Sequence, residues 1–228
     1  MRERTGQIVR FGCVLIVALA ASCSTSMPEI AELKYQQNVI DDRTRGIRYE
    51  KLSVFIHVAD DDGIEDLDRL VIRHDTTGLS WEFTPSDWTV LTRGEETWIG
   101  SNGILMNDYS QLPPGLYIIE LSDLAGYTTE REFSLPASRT PPERVPAPRV
   151  TAGSNPLTVS SDLPVAALFY AADGSYIGSA PVVGEGGGSG TVVPNVRNSG
   201  RISTAYLYSY VAGEGTGIFS GPYNLPRD

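Results

Sequence analysis

The chain has 228 residues, of which 41% are hydrophobic, with 23 glycines, 15 prolines and a formal net charge of −10. This composition excludes a disordered tail. An acidic balance with no basic run also excludes a surface built to neutralise nucleic-acid phosphates. Plentiful turn-forming residues favour many short strands over long helices, and the length accommodates two small domains, each with its own core.

The N-terminus combines Arg2, Arg4 and Arg10 with an apolar run from Phe11 to Ala21. That run is too short to cross a hydrocarbon layer of about 30 Å, but it has the length of a secretory core segment. It ends in Leu19-Ala20-Ala21-Ser22-Cys23. Small residues leading to a cysteine resemble the lipobox of bacterial lipoproteins, although Ala20 stands at position −3 where Leu is commoner, with Leu19 one place earlier. The resemblance implies a signal peptide over residues 1–22, cleavage before Cys23, a diacylglycerol on its thiol and an acylated amine. Ser24, where some lipoproteins carry a retention-signal Asp, leans towards the outer membrane. The expected location is the bacterial cell envelope, periplasmic or surface-facing.

Cys13 and Cys23 are the two cysteines, so a mature chain of this kind has neither a free thiol nor a disulfide and is held by its cores alone. Acyl chains contribute about 0.8 kcal/mol per buried methylene, and several together anchor permanently. An acidic chain gains nothing from an anionic membrane surface, so attachment rests on the lipid. Residues 23–30 read as a lipidated tether.

Residues 31–136 read as the first β domain. Glu29 to Gln37 is the one segment compatible with a helix. Leu52, Val54, Ile56 and Val58 alternate and share one strand face. Short runs follow at 69–74, Trp81/Phe83, Trp88/Val90, 117–121 and Tyr127 to Phe133, with a hairpin signal at Ser122–Gly126. Leu112-Pro113-Pro114-Gly115-Leu116-Tyr117 resembles the Leu-x-Pro-Gly-x-Tyr corner of fibronectin type III and related immunoglobulin-like domains. The resemblance implies that the Tyr117 hydroxyl returns to the backbone a few residues upstream, with Leu112 and Gly115 shaping the corner.

Five prolines within residues 136–148 mark a Pro-rich linker over 137–148. Residues 149–228 read as a second small β-sandwich. Its strands are expected at 165–170, 176–180 and 202–211, with a hairpin turn at Ala172–Ser175. The expected fold is therefore all-β: two small antiparallel immunoglobulin-like sandwiches after a lipoprotein signal peptide.

Asp60, Asp62 and Asp66 fall in an acidic segment and are candidate calcium ligands, because calcium seeks several carboxylate oxygens on a flexible loop. The segment also resembles the Asp-x-Asp-Gly-Ile-x-Asp-Leu link between the second and third strands of bacterial immunoglobulin-like domains, which implies capping; that is the favoured reading. His57 and His74 lack a second ligand at metal spacing and read as sheet residues. The glycine-rich 184–190 lacks a Lys-Ser/Thr ending and a following helix, and reads as a loop rather than a phosphate cradle. Tyr206, Tyr208 and Tyr210 share one strand face. They either fill the core, with Leu207 and Val211 outward, or form a ligand-stacking row; the core is favoured. At least two of Trp81, Trp88 and Trp98 belong to a core.

No nucleophile, paired carboxylates or metal set stands out, and no cofactor is expected beyond the candidate calcium. The expected function is a non-enzymatic, membrane-anchored lipoprotein that binds another envelope protein as a scaffold module. The alternative is a carbohydrate- or peptidoglycan-binding module using exposed aromatic residues.

Overall fold

The structure is a computed structural model that describes residues 27–59, 63–138, 140–151, 156–182 and 189–225. It is all-β: among the described residues there is no α-helix, only three short 3-10 turns between strands. The first half supplies β1 (Glu29–Asp42), β2 (Ile47–Ala59), β3 (Leu67–His74), β4 (Ser80–Phe83), β5 (Thr89–Arg93), β6 (Glu96–Ile104), β7 (Gly115–Asp123) and β8 (Thr128–Leu135). The second half supplies β9 (Arg149–Val150), β10 (Thr158–Ser160), β11 (Val165–Ala171), β12 (Tyr176–Pro181), β13 (Gly190–Thr191), β14 (Ile202–Val211) and β15 (Thr216–Asn224).

Alternation decides which face of each strand is buried. Leu52, Val54 and Ile56 of β2 are fully buried, with Ile99 of β6 beside them. They meet Leu70 and Ile72 of β3, Tyr117, Ile119 and Leu121 of β7, and Phe133 of β8 in one core. Full burial of each such aliphatic side chain stabilises by about 1.5–3 kcal/mol. In this half, β1-β2-β6-β5 face the separate sheet β4-β3-β7-β8.

Glu29 to Gln37 is not helical; it is the start of the 14-residue β1. The physical reason is a register shift between Ile30 and Glu32 in the pairing with β2. The extra residue, Ala31, returns both Ile30 and Leu33 to the core side. An i, i+3 apolar spacing that looks helical is thus the signature of a β-bulge.

The second half has its own core, including Val159, Val165, Phe169, Ala205 and Leu207. Here β12-β11-β14-β15 face the small sheet β13-β10-β9. One sheet nevertheless runs through both halves, in the order β12-β11-β14-β15-β1-β2-β6-β5. The seam is the parallel pairing of β1 with β15, from Asn38 opposite Gly217 to Asp42 opposite Gly221.

The proline-rich segment is strapped along this seam. Val145 is buried with Val39 and Ile218 in a small third cluster. Arg48 Nη1 donates to the carbonyls of Glu143 and Val145, at 3.1 and 3.2 Å. Arg48 Nε donates to Asp41 Oδ1 at 3.0 Å, and Ser220 Oγ donates to Asp41 Oδ2 at 2.6 Å. Asp41 thus ties β1, β2 and β15 together, while Arg48 carries the link on to the strap.

Candidate binding face

The outer face of the eight-stranded sheet carries the tyrosine row. Strand β14 buries Ala205, Leu207 and Ser209, so its period of two sends Tyr206, Tyr208 and Tyr210 outward. The favoured core placement of the row is therefore overturned, and Leu207 takes the inward position. The opposing sheet consists of strands of only two or three residues, and the core beneath is filled mainly by valine, alanine and leucine. Such a core offers nothing to satisfy three phenol hydroxyls, whereas the outer face leaves them access to water.

The sheet face is concave where the two halves meet, forming a groove of about 780 Å³. Tyr170, Tyr206 and Phe219 line it from the second half; Tyr49, Arg45, Lys51, Asp42 and Asn102 line it from the first. Of the tyrosine row only Tyr206 lines the groove. Its ring meets Tyr170 edge-on, with centroids 5.4 Å apart and planes at 78°. Tyr208 packs on Phe219 at 4.6 Å, and Tyr210 stands 45% exposed.

Gly217 makes this packing possible. A side chain there would collide with Asn38 Oδ1 and the Tyr208 ring, so the glycine leaves room for both to lie over β15. Burial raises the pKa of Tyr49 and of Tyr206, and the Asp42 carboxylate adds to both shifts. Burial also raises Tyr170 and lowers Lys51. At neutral pH the groove therefore offers phenol O–H donors, a carboxylate acceptor and cations beside aromatic rings. That set can hold a polar ligand with aromatic faces beside it.

The corner residues fall where the motif implies. Tyr117 is fully buried and its hydroxyl donates to the Pro113 carbonyl at 2.8 Å. Burial, with the nearby Glu50 carboxylate, pushes its pKa up to about 12. Leu112 is buried, and its backbone N–H donates to Glu50 Oε2 at 3.0 Å. Gly115 has φ +134°, and a Cβ there would stand 3.0 Å from His74 Nε2.

Both histidines lie in sheet strands. His74 is buried, with Nε2 3.2 Å from the Pro114 carbonyl and Nδ1 2.7 Å from Thr77 Oγ1. His57 stacks on Trp98, whose ring also lies 4.1 Å beneath Lys34 Nζ. Trp88 and Trp98 are buried, while Trp81 is half-buried and donates its Nε1–H to the Leu105 carbonyl.

Cys23, Asp60 and Asp62 lie outside the described residues. Asp66 closes a 3-10 turn at Ile64–Asp66, and its carbonyl accepts from the Leu124 N–H at 2.8 Å. The turn begins at Gly63, and the Asp60 and Asp62 carboxylates expected to cap it lie outside the described residues. Among the described residues no three His, Cys, Asp or Glu side chains are arranged to hold a metal. The 184–190 segment is described only at Ser189 and Gly190.

The sequence reading passes over three residues that organise this region. Arg48 and Glu50 continue the face of Leu52, Val54 and Ile56 backwards along β2, and Asp41 continues that of Val39 on β1. Charges in step with a buried row demand partners, and that was the available signal. Glu50 is 1% exposed and accepts from Ser138 Oγ at 2.5 Å and Gln111 Nε2 at 3.1 Å.

Comparison with known proteins finds no protein-family model that matches the chain and no curated protein that matches it.

Proposed function

We propose that the chain is a non-enzymatic binding lipoprotein of the bacterial envelope, anchored through acyl chains on Cys23, and that its binding face is the groove on the outer side of the eight-stranded sheet. The observation that carries this reading is the junction of aromatic and polar side chains in one concavity, Tyr206, Tyr170 and Phe219 opposite Arg45, Lys51 and Asn102. A carbohydrate suits that lining. Sugar rings present apolar C–H faces to aromatic rings and hydroxyls to amides and charges, and a groove of about 780 Å³ holds a short saccharide. Both sandwiches are read as immunoglobulin-like, a reading supported in the first by the strand order β1-β2-β6-β5 against β4-β3-β7-β8 and by the Tyr117 corner bond.

The test is calorimetric titration of the full-length chain in detergent with soluble peptidoglycan glycan fragments and with neutral oligosaccharides. Saturable binding weakened by Tyr206→Ala supports the reading; no heat with any saccharide refutes it.

A second reading, a protein scaffold, is favoured by a different feature. Strand β5 is exposed along its whole length and ends the large sheet, with Val90 and Leu91 44% and 48% exposed. An open edge of this kind accepts a partner strand. Retention of one envelope protein that is lost on Val90→Pro would favour it over the saccharide.

A further inference from the structure

On the opposite face of β1 from the groove, the strap, the end of β1 and the small sheet of the second half line an open cleft of about 600 Å³. Four arginines line it: Arg43, Arg48, Arg144 and Arg149. Its carboxylates are Asp41, Glu143 and Asp162. Asp41 is already engaged by Arg48 and Ser220, at 3.0 and 2.6 Å. Neither Glu143 nor Asp162 forms an ion pair with Arg144 or Arg149, and among the described residues these two guanidiniums have no carboxylate partner.

In a chain of net charge −10, a cleft with more guanidiniums than carboxylates is the reverse of the bulk surface. The excess is one charge, four guanidiniums against three carboxylates, and it acts at short range through the side chains that reach a ligand. Arg48 and Arg43 both pair with Asp41, and Arg48 also donates to two strap carbonyls, so the guanidiniums free to take a ligand are those of Arg144 and Arg149, beside a fixed Arg48. Planar guanidinium forks match oxyanions and prefer those that accept several bonds at once. A phosphate group, with three oxygens and up to two charges, uses several arginines more fully than a carboxylate does. The cleft far exceeds one phosphate ion, so the rest of it fits the molecule that carries the group.

We propose that this junction cleft is an anion site for the phosphate group of a larger ligand. The site is independent of the saccharide reading of the groove. Its walls come from both halves and from the strap, so an occupant bridges the halves and holds the seam closed.

The test uses the full-length chain in detergent at constant, low ionic strength. Inorganic phosphate, glycerol phosphate and acetate are titrated while thermal unfolding and binding heat are followed. Phosphate and glycerol phosphate are expected to bind and raise Tm, and acetate to bind at least tenfold more weakly. The double variant Arg144→Ala/Arg149→Ala, which removes two exposed side chains without touching the seam, is expected to lose at least about tenfold in phosphate affinity, as loss of charge-assisted bonds requires. Arg93→Ala, on the exposed β5 edge, serves as the charge control and keeps full affinity. Titration in the same detergent of a short-chain phosphatidylglycerol against glycerol phosphate separates a lipid headgroup from a free phosphate ester; saturable binding of either, weakened in the Arg144/Arg149 variant, supports the site. No phosphate binding, acetate binding as tightly as phosphate, or an equal loss in the Arg93 control overturns it.

Discussion

Replacing Asp41 with alanine tests whether the seam couples the two cores. Its side chain is 8% exposed, and the carboxylate accepts from Arg48 Nε and Ser220 Oγ. Arg43, at 3.6 Å, is more than half exposed and contributes little. After the change Ser220 Oγ still has the Tyr223 hydroxyl at 2.7 Å, and Arg48 keeps its two strap carbonyls. The principal loss is therefore the Arg48 pair. Breaking a buried pair costs about 3–5 kcal/mol. The Arg48 side chain is 25% exposed, so water recovers part of that, leaving about 2–3 kcal/mol. For a chain of this size each kcal/mol moves Tm by about 2–4 °C.

The assay exploits the placement of the tryptophans. Trp81, Trp88 and Trp98 all lie in the first half, so their fluorescence reports that half alone, while far-UV circular dichroism reports both. In urea the wild-type transitions should coincide, because one sheet spans both cores. In Asp41→Ala they should separate, and the midpoint of at least one should fall. Coincident transitions at an unchanged midpoint in the variant would refute the coupling.

Three further outcomes are expected. Tyr117→Phe should lower stability by about 1 kcal/mol through the lost bond to the Pro113 carbonyl. The folded pKa of Tyr117, about 12, stands above its ordinary 10.0, so its contribution is complete below pH 10 and is lost as pH rises towards 12; urea midpoints across that window should fall less steeply in the phenylalanine variant. Gly115→Ala should cost about 1–3 kcal/mol, since alanine resists φ +134° and its Cβ presses on His74; an unchanged midpoint would show that the corner relaxes freely. Millimolar calcium should leave Tm in place if the acidic link serves the turn, whereas a rise of several degrees would assign Asp60, Asp62 and Asp66 to a cation.

Strands with strict alternation were legible in the sequence because one physical rule, burial of every second residue, governs them. Leu52 to Val58, Tyr117 to Leu121 and Val165 to Ala171 all obey it. Strand β6 was illegible because Gly100, Ser101, Asn102 and Gly103 interrupt its pattern; at Gly100 a side chain would collide with the β2 backbone, so the gap in the pattern is itself a packing requirement. The seam was illegible because parallel pairing of Asn38 with Gly217 leaves no local trace and depends on contacts between residues far apart in the chain. The tyrosine row shows where alternation stops informing. A period of two proves that three side chains share a face, but which face is settled by the volume of the opposing sheet, and that is a tertiary property.

The same row supplies the sharpest discrimination at the candidate site. If an aromatic strip as such binds the ligand, Tyr206, Tyr208 and Tyr210 are equivalent, and the most exposed, Tyr210, should matter most. If the concavity binds it, only Tyr206 lines the site, with Tyr170 edge-on behind it and the Asp42 carboxylate near enough to raise its pKa. Tyr206→Ala should then weaken saccharide binding by about tenfold or more, the scale of losing a well-packed anchor, while Tyr210→Ala should leave it within about twofold. Neither side chain belongs to a buried core cluster, so both variants should keep the wild-type unfolding midpoint to within about 1 kcal/mol. Equal losses in the two variants would replace the groove with the strip. A loss confined to Tyr210→Ala would move the site off the junction altogether, and the two halves would then have been joined for some purpose other than forming that groove.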